Sequence, residues 1–238
     1  MRRRGRGIVL IVIAAMLTPA LADADDLGGL NSQSIAVDSP GDLPVVPTIL
    51  MADCFCGRDQ SIDQEAPQYV GSGLWEALNG WARQTGRLRP PSNGSANRLA
   101  FYDSGAVDIA VEATLIRTDT KSQLGVMVRA NAVFGTATNA FRLVTYLRDD
   151  RVYLAAWAAG VRKTLADVAG LKPPATTRLR MEIVKSDVRV LADGVVLIDM
   201  ALPSPLDTQF AAFTFAGLYS EDATSERVDD VLVTTWPP

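Results

Sequence analysis

No histidine occurs anywhere in the chain. Ser-His-Asp and Cys-His nucleophilic machinery therefore lacks its base, and histidine-ligated zinc lacks its ligands. Cysteine is nearly as scarce, with only Cys54 and Cys56, too few to complete a four-ligand metal site. On a regular strand the two would share a face with Cβ atoms about 6–7 Å apart, against about 3.5–4.5 Å for a disulfide. Two small, partly buried thiols are the expectation; a disulfide needs a local bulge or turn, and export would leave an intermolecular bond open. No Walker-type loop and no G-x-G-x-x-G turn is present, so a phosphate-cradling nucleotide site has no support. Past the first residues, basic side chains alternate singly with acidic ones, which argues against nucleic acid as a partner.

Long apolar runs are missing too. The run from Ile8 to Leu17 is well short of the ~20 residues that cross a bilayer. It follows Arg2, Arg3, Arg4 and Arg6 and precedes Ala20-Leu21-Ala22, the order of regions in a secretory signal peptide. Residues 1–22 are read as that signal, with a second cut open after Ala24, and the protein as secreted or periplasmic with no membrane span after cleavage. Cleavage removes four of the 23 basic residues and no carboxylate, leaving 19 against 27 acidic ones, a formal charge of −8. Residues 23–47 are polar and contain Pro and Gly, the composition of a flexible leader. Residues 48–238 hold no Pro/Gly/Ser-rich break that resembles an interdomain linker and are taken as one domain.

What is present is alternation. From Val107 to Leu115 the odd positions are apolar and the even ones polar or small, and Leu179, Met181 and Ile183 alternate with Arg178, Arg180 and Glu182; both patterns predict half-buried strands. Asp149-Asp150 and Asp193-Gly194 separate paired runs as two-residue hairpin turns do. Further strands are expected at Arg98 to Tyr102, Leu124 to Ala130, Arg162 to Val168, Phe210 to Leu218 and Arg227 to Trp236, roughly a dozen in all. Gly73 to Arg83 is left as a short helical turn or an irregular loop. So many strands with so little helix bury their apolar faces sheet against sheet. The expected fold is all-β, a two-sheet antiparallel β-sandwich, with more strands than an immunoglobulin domain and hence a jelly roll.

The order of several short motifs resembles the laminin-G and concanavalin A-like lectin/glucanase superfamily. They are Asp53-Cys54-Phe55, Trp81 before a small strand, Asp103 to Asp108, Gly125 to Arg129, the Asp193-Gly194 hairpin, Gly217-Leu218-Tyr219 and Val228 to Val231. The resemblance spans nearly everything from Thr48 to Trp236. It implies a concanavalin A-like jelly roll of an extracellular protein, in a superfamily that holds carbohydrate binders, glycoside-cleaving enzymes and members without known activity. It also implies that the first and last strands lie side by side, which would bring Asp53 near Asp229 and Asp230.

Glycoside cleavage needs two carboxyls flanking the sugar, and the superfamily's glucanases carry them as Glu-x-Asp-x-Glu or Glu-x-Asp-x-x-Glu on one strand. No such run occurs. Glu221-Asp222 with Glu226 is the nearest cluster, and it reads as a solvated loop; the reading leans away from an enzyme. A binding face needs an aromatic platform and a few hydrogen-bonding groups. Strand parity places Glu112, Arg129, Tyr146 and Trp157 outward as such a set, with Arg129 alternatively paired internally to Glu112 or Glu182. Trp75, Trp81 and Trp236 are expected in packing. No cofactor is required, and a structural calcium on Asp53, Asp229 and Asp230 is the one metal reading. Asn93-Gly94-Ser95 matches a glycosylation sequon. Three functions follow: a carbohydrate- or surface-binding module without catalysis, whose partner is a glycan; an atypical glycoside-processing enzyme with paired carboxylates; and a structural domain of an envelope or virion-tail assembly.

Overall fold

A computed structural model describes residues 47–77, 80–90, 98–118, 120–131, 140–170, 175–221 and 225–236. The signal peptide, nearly all of the leader, the Asn93 sequon and Asp222 to Thr224 fall outside these residues. In chain order the strands are β1 Thr48–Asp53, β2 Glu76–Ala77, β3 Ala82–Gln84, β4 Arg87–Arg89, β5 Arg98–Asp103, β6 Ile109–Ile116, β7 Gln123–Ala130 and β8 Arg142–Arg148. They continue as β9 Arg151–Ala158, β10 Val161–Ala169, β11 Thr176–Val184, β12 Asp187–Ala192 and β13 Val195–Ala201, then a short helix α1 Leu206–Phe210, then β14 Phe215–Glu221 and β15 Arg227–Thr235.

These strands form two antiparallel sheets. One runs β13-β12-β11-β6-β15-β4-β3, with β1 also paired to β15; the other runs β10-β9-β8-β7-β14-β5-β2. The chain is an all-β sandwich of the jelly-roll kind. Alternation is the cause: in β6, Ile109, Val111, Ala113 and Leu115 are fully buried, while Glu112, Thr114 and Ile116 stay half-buried on the other side. Both two-residue turns form, joining β8 to β9 at Asp149-Asp150 and β12 to β13 at Asp193-Gly194, with Asp149, Asp193 and Gly194 at the positive φ that such turns require. Core side chains from both sheets, among them Trp75, Trp81, Val126, Leu154, Met181 and Val233, form one cluster between them.

The terminal strands lie side by side, with Thr48 opposite Thr235 and Asp53 opposite Val231. β15 is therefore central: β6 covers one edge, and β1 and β4 share the other. Three local expectations change. Gly73 to Arg83 holds the short strands β2 and β3, not a helical turn, with Trp75 and Trp81 fully buried. Phe210 ends α1, and the strand begins only at Phe215, because Phe210 and Phe213 pack on Phe141 instead of extending the sheet. Cys54 and Cys56 form a disulfide. The regular-strand geometry that opposed it does not apply, since β1 ends at Asp53 and Phe55 turns the chain at φ 50°. Among the described residues no helix is long and apolar enough to cross a membrane.

Candidate functional site

The two outer faces of the sandwich differ in chemistry. On the eight-stranded sheet, Glu112 contacts Arg178 at 3.3 Å and Arg180 at 3.7 Å, Arg180 holds Glu182 at 2.6 Å, and Arg189 holds Asp199 at 3.0 Å. These charges neutralise one another across β6, β11, β12 and β13. A pocket of about 480 Å³ on this face is lined by Glu182, Val184, Asp187, Arg189, Asp199 and Trp236.

The seven-stranded sheet instead carries a second apolar cluster on the side turned away from the core. It comprises Leu99, Phe101, Met127, Ala130, Val144, Tyr146, Ala155, Trp157 and Tyr219, with Tyr153 and Phe215 packed against it. The hairpin register places Tyr146 opposite Tyr153 and Arg142 opposite Trp157. Tyr146 and Tyr153 stack with centroids 5.0 Å apart and planes 9° from parallel. On the other side Gly125 of β7 lies between Tyr146 and Tyr219. A Cβ there would collide with the Thr145 carbonyl. The absent side chain lets the two tyrosine rings meet at 5.6 Å over the intervening strand. Trp157 reaches Tyr219 at 5.5 Å although β8 and β7 separate their strands, a separation of about 14 Å at ordinary strand spacing. The rings therefore lean inward over this face.

Guanidinium groups cap the rings. Arg142 lies 4.8 Å from the Trp157 centroid, and Arg162 of β10 lies 4.9 Å from Tyr146 and 5.0 Å from Trp157. The Tyr219 hydroxyl donates to Glu221 Oε2 at 2.5 Å, and Gln123 Oε1 is 3.4 Å away. Burial, then the Glu221 carboxylate, raises the Tyr219 pKa, so its proton stays in place at neutral pH. Burial also lowers the Arg142 pKa, with Tyr219 and Glu221 acting in the opposite direction.

Several solved structures are similar to this chain in fold. A non-specific endo-β-1,3(4)-glucanase of family GH16 superposes with a TM-score of 0.54 at 12% identity, over 83% of this chain and 94% of that one. The laminarinase from Rhodothermus marinus gives 0.53 at 10%, over 81% and 100%. An endo-acting O-glycanase of human gut microbiota gives 0.53 at 13%, over 79% and 99%. The fold is that of the concanavalin A-like lectins and glucanases. Neither a family model nor a curated protein matches the sequence.

On this concanavalin A-like sandwich, the residues singled out from sequence fall in different places. Tyr146 and Trp157 come together in the aromatic cluster, but Trp157 is only 5% exposed and not the partly exposed platform expected. Arg129 lies elsewhere: a bulge between β7 and β14 puts it at φ 46° and breaks the alternation. Its guanidinium bonds the Val107 carbonyl at 2.9 Å and Asp108 at 3.2 Å, not Glu112 or Glu182. Glu112 is on the other sheet. Asp53 accepts the Phe55 amide and the Trp75 indole N–H, both at 2.8 Å, while Asp229 pairs with Arg87 and Asp230 is the extra residue of a bulge in β15. Among the described residues no group of three or more Asp, Glu or Cys side chains gathers to hold a metal.

Glu221 is not a loop residue but the end of β14, and Glu226 is buried, accepting the Ser225 amide. Arg142, Arg162 and Tyr219 belong to this cluster without having been assigned to the binding set from sequence, and Glu221 joins them although the sequence had set it aside as part of a solvated loop. For Arg142 a signal existed: counting back from the Asp149-Asp150 turn sets it opposite Trp157. For Tyr219 there was none, because β14 inserts beside β7 from almost a hundred residues away.

Proposed function

We propose that this protein is exported and binds a glycan on the outer face of the seven-stranded sheet without cleaving it. The observation that carries the reading is the convergence of Tyr146, Tyr153, Trp157 and Tyr219 with Arg142, Arg162 and Glu221 on that one face. Sugars are held by aromatic rings together with a few planar hydrogen-bonding groups, and the opposite face offers ion pairs that are already closed. A ligand arriving here meets Tyr153, Arg162 and Glu221 first, since Arg162 is 32% exposed and Tyr153 half-buried.

Hydrolysis needs a second carboxyl at a set distance from the first. The β7 residue opposite Glu221 is the amide Gln123, and the residues two and four back along β14 are Tyr219 and Gly217. Binding is expected in the micromolar to millimolar range, since a few contacts of this kind supply a few kcal/mol. Calorimetry against plant, microbial and host polysaccharides tests it, with Tyr153→Ala expected to weaken binding about tenfold. Absence of binding to every polysaccharide, or a Tyr153→Ala variant that binds as the wild type does, overturns the binding reading. Release of reducing sugar by the wild type overturns the non-cleaving one.

A further inference from the structure

Resting on that reading, we propose that the glycan is acidic, and that Arg142 and Arg162 seat its carboxylate or sulfate group beside the Trp157 ring. Arg142 is 4% exposed, and its Nε is buried with no hydrogen-bond partner. Among the described residues nothing forms an ion pair or hydrogen bond with this guanidinium, which lies over the Trp157 ring. Buried charges are ordinarily paired, because an isolated one loses its hydration without recompense. Arg129 shows the ordinary case in the same molecule: it is 2% exposed and tied to Asp108 and to the Val107 carbonyl. Arg142 has no such tie and faces the ring cluster.

Arg162 adds a second cation over the same ring. Its nearest carboxylate oxygen is Glu221 Oε2 at 3.9 Å, and that same oxygen accepts the Tyr219 hydroxyl. Among the described residues one already engaged carboxylate thus stands against two guanidinium groups, a local positive surplus in a chain whose formal charge is −4, or −8 once residues 1–22 are removed. A chain of that sign repels polyanions at long range, so attraction to one must come from a local cluster of cations, as here. Planar guanidinium groups bind carboxylate or sulfate oxygens in pairs, and the half-buried Tyr153 ring takes the apolar face of the sugar. Runs of basic residues do not reveal the site, because its two arginines stand singly on β8 and β10.

Matched polymers provide the test: polygalacturonate against its full methyl ester for the carboxylate, and dextran sulfate against dextran for the sulfate. The wild type is expected to bind at least one acidic polymer about tenfold or more tighter than its neutral counterpart, and the tighter polymer identifies the group. Arg142→Gln and Arg162→Gln are each expected to remove that preference. Arg142→Met, which removes an unpaired buried cation, is expected to melt at or above the wild-type temperature. Equal binding of each acidic polymer and its neutral partner overturns the acidic assignment and leaves glycan binding standing. Preference retained in both glutamine variants, or a lowered melting temperature in Arg142→Met with the preference intact, makes the arginines packing residues and overturns it likewise. Failure of all four polymers and of the wider panel overturns both proposals.

Discussion

Asp108 holds more than one element in place: it accepts from Arg129 and from the Lys185 amide at 2.7 Å. Removing its side chain would strand the buried Arg129 guanidinium, whose Nη1 already lacks a partner. Asp108→Ala is expected to lower stability by about 2–4 kcal/mol. Glu112→Ala opens only the ladder with Arg178 and Arg180 on a solvated face and is expected to change it by less than about 1 kcal/mol. Urea melts of the two variants check the ordering. An Asp108→Ala variant as stable as Glu112→Ala would mean that Arg129 is not held as described. The arginine was legible from sequence as a charge that must find a partner; the partner was not, because a one-residue bulge moves the side chain off the face that parity assigns. Asp53 supplies the pH dependence at this scale. Burial raises its pKa above the ordinary 3.8 despite the Phe55 and Trp75 hydrogen bonds and the Arg83 charge. A carboxylate with a raised folded pKa contributes stability that is fully present below the unfolded value and is lost as pH rises through the folded one. The stability of the wild type relative to the non-titrating Asp53→Asn should therefore fall as pH rises above about 4. A wild type that gains stability relative to Asp53→Asn as pH rises would contradict the assignment.

At the scale of elements, period two and turn chemistry carry most of the information. β6, β11 and the two hairpins form where alternation and the Asp149-Asp150 and Asp193-Gly194 pairs place them, because each needs only local residues to state which side is apolar and where the chain reverses. Phe210 to Phe213 reads as strand by the same rule and fails, since three phenylalanines find one another off the sheet. β15 is where element order matters most. Deleting the last ten residues removes Val231 and Val233 from the core, uncovers one edge of β6 and leaves β1 without its partner. The shortened chain is expected to be insoluble or to lose its cooperative melt, because an unpaired edge and a strip of core are exposed together. A soluble truncated protein with unchanged melting temperature would contradict the central position of β15.

For the whole molecule, the sandwich was legible and the site only half so, and the reason is range. A fold class follows from many local patterns that agree, whereas the ring cluster depends on β14 entering between β5 and β7, which no local pattern states. The N-terminal region and the disulfide bear on one question from two directions. The basic, apolar and small-residue regions of residues 1–22 come in the order that export requires, and a Cys54–Cys56 bond persists in oxidising compartments and is lost in reducing ones. Protein recovered from outside the cytoplasm is expected to begin near Asp23. Its intact mass should also be lower by the two hydrogens that the disulfide removes, and reduction should restore them. The two readings fail separately: an intact Met1 on exported material sinks the signal peptide, and a mature chain whose mass does not rise on reduction sinks the disulfide. A closed loop this short constrains the unfolded chain weakly, by about 1–2 kcal/mol in the chain-entropy picture. Reduction should then lower the melting temperature modestly without unfolding the sandwich, and complete unfolding on reduction would show that the turn at Phe55 holds β1 against β15.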